Sequence, residues 1–361
     1  MLIKSLELEN FRNYKQLKME FDSGTNILYG DNAQGKTNIL EALYLSGTTK
    51  SHKSSKDKEM IRFRKEESHI RTLIEKNDIS YRIDMHLKRS KTKGIAINGI
   101  PIKKASELFG IVNFVFFSPE DLNILKNGPA ERRRFLNLEL CQLSRLYLHN
   151  LSNYNRVIKQ RNALLKEISF RPDLKDTLQI WDEQLIHYGL EIMKERKQFI
   201  LDLNEIVDSI HKNLSGDREE LVIQYEPSIA EEQFAVQLEK NRENDIRTRM
   251  TSVGPHRDDL IFLVKEVDVR KYGSQGQQRT CALSLKLAEI ELVKKVIRDT
   301  PVLLLDDVLS ELDSRRQNFL LNNIHDIQTM ISCTGLDEFI KNRFHINRIF
   351  RVVEGTIINE N

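Results

Sequence analysis

Residues 30–37, which are Gly30, Asp31, Asn32, Ala33, Gln34, Gly35, Lys36 and Thr37, follow the pattern glycine, four residues, Gly-Lys-Thr. No other feature of the chain restricts its fold as much. Such a loop functions only between a strand and a helix: the glycines let backbone N–H groups turn toward phosphates, and the helix N-terminus adds partial positive charge. Both neighbours are present. Thr25 to Tyr29 reads as an apolar strand after the turn Asp22-Ser23-Gly24, and a helix begins near Lys36 and runs through Asn38, Leu40, Leu43 and Tyr44. In that setting Lys36 bridges the β- and γ-phosphates of a bound nucleotide, and the Thr37 hydroxyl takes a Mg²⁺ position. A glycine turn that merely joins a strand to a helix has no need of Lys36 and Thr37 together.

Val302-Leu303-Leu304-Leu305-Asp306-Asp307 supplies the second half of such a site. Four apolar residues make a buried strand, Asp306 at its end can hold Mg²⁺ through water, and Asp307 is placed to orient or deprotonate an attacking water. Two acids after a strand are common in turns, so the segment gains meaning only from its pairing with the loop. Further ahead in the chain, Tyr272-Gly273-Ser274-Gln275-Gly276-Gln277-Gln278-Arg279-Thr280 opens an amphipathic helix. Ser, Gly and Gln at a helix N-terminus form a phosphate cradle without a second Lys. Since the chain already owns one cradle, the economical expectation is that this one acts on a nucleotide held by another copy. Ser274 could instead be a simple helix cap, although a cap alone calls for neither Gly276 nor the run of glutamines.

At roughly 150 residues per domain, 361 residues suggest two domains or one split by an insertion. The ends read as α/β: strands and turns fill the first hundred residues, with Asn98-Gly99 as a hairpin turn. Strand and helix alternate from Leu260 to Val353, which implies a parallel sheet with crossovers. In the middle, Leu136, Leu140, Leu143, Tyr147, Leu151, Tyr154, Ile158, Leu165 and Ile168 repeat with a helical period, implying one long helix from Ala130. Pro172 breaks it, and a second stripe from Trp181 to Ile210 implies an antiparallel partner. The two ends are expected to form one sheet, with the helical middle inserted.

Forty per cent hydrophobic and 30 per cent charged residues exclude disorder. No apolar run approaches the ~18 residues of a membrane span, and three scattered cysteines fit reduced thiols, so the expected location is the cytoplasm. A net charge of +3 argues weakly against a nucleic-acid binder, yet the charge is unevenly spread. Residues 50–104 hold 16 Lys and Arg against 7 Asp and Glu, whereas residues 202–245 hold 4 against 12. Lys50, Lys53, Lys56, Lys58, Arg62, Arg64, Lys65, Lys88, Arg89, Lys91, Lys93, Lys103 and Lys104 offer backbone-phosphate contacts with few aromatics for base readout. Taken alone, each run also fits a solvated face.

The phosphate loop, the Ser-Gln-Gly-Gln-Gln segment and the tail Ser310-Glu311-Leu312-Asp313 resemble an ABC-type ATPase head of the SMC-like branch, and most closely the bacterial RecF family. Leu6 to Tyr14, Phe117 to Leu122, Gly128-Pro129 with Arg132 to Leu136, and Gly254 to Leu260 match that family's other blocks. The resemblance implies a P-loop head with a mixed sheet (residues 1–115 and 249–361) and an inserted α-helical lobe (116–248). It further implies an ATP-dependent homodimer in which each ATP lies between Lys36 and Thr37 of one copy and Ser274, Gln275, Gly276 and Gln277 of the other. Asp313 would lie on the loop crossing that interface, and Arg12 and Asn13 near the nucleotide, although a solvated turn fits those two nearly as well. The implied role is ATP-dependent binding of single-stranded or junction DNA in recombinational repair, replication-fork recovery and the SOS response, with RecO and RecR as partners in loading RecA.

Three departures mark this chain. Ser118 to Asp121 lacks the Gln of a Q-loop, Thr334 stands where many heads place a switch histidine, and Asp307 is one methylene shorter than the usual Glu. Slow hydrolysis is the expectation, and a non-hydrolysing ATP-gated scaffold is the alternative. A transporter's nucleotide-binding subunit should carry Leu-Ser-Gly-Gly-Gln and a switch histidine, and a GTPase should carry Asn-Lys-x-Asp; none is present. His256 could act near the γ-phosphate or serve a structural role, and the latter is favoured.

Overall fold

The computed structural model describes all residues except 54–55, 325, 336–345 and 361. In chain order the strands are β1 (Leu2–Phe11), β2 (Tyr14–Glu20), β3 (Thr25–Tyr29), β4 (Glu67–Lys76), β5 (Ile79–Lys88), β6 (Gly94–Ile97), β7 (Ile100–Pro101) and β8 (Phe114–Phe117). They continue with β9 (Leu221–Glu226), β10 (Asp259–Val264), β11 (Val267–Asp268), β12 (Val302–Asp306), β13 (Thr329–Cys333), β14 (Ile346–Val353) and β15 (Thr356–Glu360). By compactness the chain divides into two units, Met1–Asp121 with Glu289–Asn361, and Leu122–Ala288.

The first unit holds two six-stranded sheets. One is antiparallel, ordered β2-β1-β4-β5-β6-β7, and its β6–β7 hairpin turns through Asn98 and Gly99, both with positive φ, as the Asn-Gly pair requires. The other, β15-β14-β3-β13-β12-β8, is parallel from β14 to β8 with antiparallel β15 at its edge. β12 and β13 are buried at every position, as expected of parallel strands covered on both faces. The helix Lys36–Thr48 touches strands of both sheets. Its Ile39, Leu40 and Leu43 share one core cluster with Leu6, Ile70 and Leu87 of the first sheet and Leu304, Met330 and Val352 of the second.

The second unit is mainly helical. The stripe expected to make one helix from Ala130 is divided into Pro129–Leu143 and Arg145–Ile168. Ser144 adopts an extended conformation, and its side chain caps the second helix by accepting from the Tyr147 amide. Leu143, Tyr147, Leu151 and Tyr154 keep helical spacing across the break, so periodicity could not reveal it. The partner helix, Leu178–Ser215, is antiparallel: Arg161 meets Asp182 while the earlier Tyr147 meets the later Arg196.

Two expectations change here. Residues 249–288, expected with the head, group with the helical unit, where β10 pairs with β9. The acidic run 202–245 is not wholly solvated, because Asp245 is fully buried and pairs with Arg161. Among the described residues no helix is long and apolar enough to cross a membrane.

Candidate nucleotide site

The phosphate loop leaves β3 and enters the helix Lys36–Thr48. Gly30 and Gly35 have φ of 148° and 117°, and a Cβ at either would fall within about 2.5 Å of other atoms: the Val352 carbonyl for Gly30, the Asn13 amide for Gly35. Both positions therefore admit only glycine. Lys36 is buried, and its ammonium donates to the Gly30 and Asp31 carbonyls at 2.7 and 2.8 Å, arching back over the loop. Asp31, Asn32 and Ala33 are exposed along the loop, Gln34 is partly so, and Ala33 takes a left-handed φ.

The loop is braced from β1–β2. Asn13 donates to the Gln34 carbonyl at 2.8 Å and accepts from Asn38 at 2.8 Å, and the Tyr14 hydroxyl donates to the Gly35 carbonyl at 3.1 Å. Burial pushes the Tyr14 phenol up, so it remains a proton donor. From the other side, the Glu354 and Gly355 amides reach the Gln34 side chain and carbonyl. Arg12, beside Asn13, has described partners of its own. Its guanidinium holds both oxygens of Glu41 at 2.7 Å and the Glu59 carbonyl at 2.9 Å. Burial opposes ionisation of Glu41, but hydrogen bonds from Arg12 and Ser51, with the Arg12 charge, hold its carboxyl below the ordinary value.

β12 lies one strand from β3, with β13 between them. This brings Thr37 to Asp306, whose Oδ1 accepts from the Thr37 hydroxyl and from Ser332, each at 2.7 Å. A hydroxyl and a carboxylate in contact beside a phosphate cradle are the hard-oxygen set that suits Mg²⁺ with phosphate and water. Asp307 follows in the left-handed region at φ 54°, held by its amide to the Ser332 carbonyl (3.2 Å) and hydroxyl (3.1 Å). Burial pushes the Asp307 carboxyl above its ordinary range, although Lys36 opposes the shift. A carboxylate so raised is the stronger base. Ser332 ties the two acids together and was not singled out in the sequence. Its signal is the parallel register that sets it opposite Asp306.

In the second unit Ser274 and Gln277 form a reciprocal capping box: Gln277 N donates to the Ser274 hydroxyl at 3.2 Å, and Ser274 N to the Gln277 side chain at 3.0 Å. Gln277 also donates to Glu219, and Gln278 is buried against the Val269 carbonyl. Two of the glutamines thus have structural partners within the unit. Ser274, Gln275 and Gly276 are exposed. A Cβ at Gly276 would meet only Ser274 Oγ, at 3.9 Å, and its φ is not left-handed. Among the described residues nothing requires glycine there.

Asp313 caps the helix Ser314–Asn323 by accepting from Arg316 N and pairs with the Arg316 guanidinium at 2.7 Å. Thr334 is exposed just after β13, and Ser118 N donates to Asp121 in the turn after β8. His256 accepts from or donates to the Tyr154 hydroxyl at 2.7 Å and reaches the Thr251 carbonyl at 3.1 Å. Burial pushes its imidazole down to about 4, so it is neutral and structural in this unit.

The family model described as RecF/RecN/SMC N terminal domain matches residues 2–356. A protein of Agathobacter rectalis named DNA replication and repair protein RecF is 66% identical over 357 residues, covering 99% of both chains. A solved structure described as the recombination mediator protein RecF with ATP in the RecFOR pathway is 34% identical, with a TM-score of 0.92 over 99% of this chain and 97% of that one. An SMC head bound to the C-terminal winged-helix domain of ScpA shares the fold at 15% identity and a TM-score of 0.58, covering 100% and 98%. With a brace, loop and acid pair laid out on this head, and with likeness along its whole length, the chain belongs to the RecF family of SMC-like ATPase heads.

Proposed function

We propose that the chain is an ATP-dependent DNA-binding protein of recombinational repair and replication-fork recovery, acting in the SOS response with RecO and RecR to load RecA. Two copies close on two ATP molecules and DNA. The observation that carries the ATP-gated dimer is the exposed Ser274, Gln275 and Gly276, where no contact among the described residues calls for a glycine. A Cβ-free position at a helix N-terminus leaves room for a phosphate supplied from outside. Thr37 and Asp306 would hold a Mg²⁺, which would supply neutralisation of phosphate charge. Lys36 and the loop amides bind and orient the γ-phosphate, and Asp307 takes the proton of the attacking water. Its short side chain and Thr334 slow hydrolysis, consistent with a timing switch. A non-hydrolysing scaffold is the second reading, favoured by the same two residues. Full-length likeness to replication and repair proteins speaks against a transporter subunit.

DNA lies against residues 50–104, where the surplus of nine positive charges sits. Lys93 is engaged by Asp57 and the Thr49 carbonyl, and Arg89 by the Lys65 carbonyl, whereas Lys91, Lys103 and Lys104 are exposed. Fluorescence anisotropy with single-stranded, duplex and junction DNA, with and without Mg·ATP, tests the function. ATP should tighten binding to at least one form. Charge reversal at Lys88, Arg89 and Lys91 should weaken binding and flatten its salt dependence by about one unit of slope per lost contact. Affinity indifferent to ATP would contradict the proposal.

A further inference from the structure

The outer face of the antiparallel sheet carries a second constellation, separate from the nucleotide site. In its register Glu9 of β1 lies opposite His69 of β4, and His69 lies opposite His86 of β5. Residues directly opposite share a face, so three ligand-bearing side chains stand in one row across three strands. Glu67 is two residues before His69 and joins them by the period of the strand. Between and beyond them Ser68, Ile70 and Thr72 point into the core. Ligand atoms of Glu67, His69 and His86 all lie within 4.8 Å of one another. The two imidazoles stack with centroids 3.9 Å apart, and His86 Nε2 is 2.5 Å from Glu67. Opposite His86 the row continues with Gly94, which places no side chain over the ring.

The geometry points to a binding site for one divalent transition-metal ion of the zinc class, with His69, His86 and Glu67 as ligands and Glu9 or water completing the set. Tetrahedral bonds of about 2.0–2.1 Å put ligand atoms roughly 3.4 Å apart, so rotation of the side chains suffices to close the present spacing. Two imidazoles select such an ion over Mg²⁺, which prefers oxygen alone. Lys88, 3.8 Å from Glu67, is the cation the metal would displace. Once bound, the ion ties β1, β4 and β5 together and stabilises the folded head. No i, i+4 histidine spacing announces this site, because a hairpin register assembles it.

The test uses the full-length, nucleotide-free chain and Co²⁺ and Zn²⁺ salts alone. The wild type should take up one Co²⁺ with the d–d absorption of a nitrogen-ligated tetrahedral site, displaced by Zn²⁺. The double variant His69→Gln/His86→Gln should lose that band and bind Zn²⁺ at least roughly ten-fold more weakly. Zn²⁺ should raise the thermal midpoint of the wild type only. Both residues lie on the solvent face, and unchanged ATP affinity in the variant shows that its fold is intact. Equal Zn²⁺ affinity in the two proteins, or no band in the wild type, would overturn the site.

Discussion

Lys36→Ala will lose tight ATP binding, by about a hundred-fold or more in isothermal titration with Mg·ATP. The ammonium is buried, is held over the loop by the Gly30 and Asp31 carbonyls, and is the only Lys or Arg in residues 30–37. Hydrogen bonds from a cation to phosphate contribute about 1.5–3 kcal/mol each, and alanine removes the charge along with the tie that shapes the loop. The loop's backbone does not depend on Lys36 alone, since Asn13, Tyr14 and Gly355 brace it independently. The loss should therefore appear in nucleotide affinity with the thermal midpoint little changed. Retained affinity would overturn the assignment of the loop.

Arg196→Met will unfold the helical unit or nearly so. The guanidinium is buried and donates to Tyr147, Asn137, the Pro255 carbonyl and Asp258, at 2.6–3.0 Å. Asp258 is itself fully buried, accepting also from Ser228 N and the Tyr225 hydroxyl. Removing the cation strands that carboxylate, at a cost of about 3–5 kcal/mol, which is a large part of the 5–15 kcal/mol that typically holds a domain. The single Trp, Trp181, lies on the same helix as Arg196, so its fluorescence during urea unfolding reports on this unit. Adding Asp258→Asn should recover part of the loss, because it removes the stranded charge. A single variant as stable as the wild type would show that the network contributes little.

The sequence made the nucleotide site legible wherever its signal was local. Gly30 to Thr37 carries loop, cation and hydroxyl in eight consecutive residues, and the apolar run before Asp306 announces its strand. What stayed hidden depends on register and packing. Ser332 matters because β12 and β13 pair in parallel at Asp306, and Tyr14 because β2 starts beside the loop. Arg12 and Asp313 are expected at the nucleotide and the dimer interface, and each also has a partner within the head: Glu41, which the fold brings to Arg12, and Arg316, three residues on from Asp313. The same holds for Gln277 and Gln278, whose contacts with Ser274 and Val269 give the signature a structural share that leaves Gly276 unexplained from within.

The most direct measurement of the composite nucleotide site is the solution mass of Ser274→Arg by light scattering with and without Mg·ATP, beside the wild type. An arginine at this exposed position keeps the fold and the loop of its own copy, so ATP affinity should persist, but its bulk should block the second copy's phosphate. The wild type should double its mass with ATP while Ser274→Arg remains monomeric. A variant that binds ATP and still dimerises would contradict the composite site.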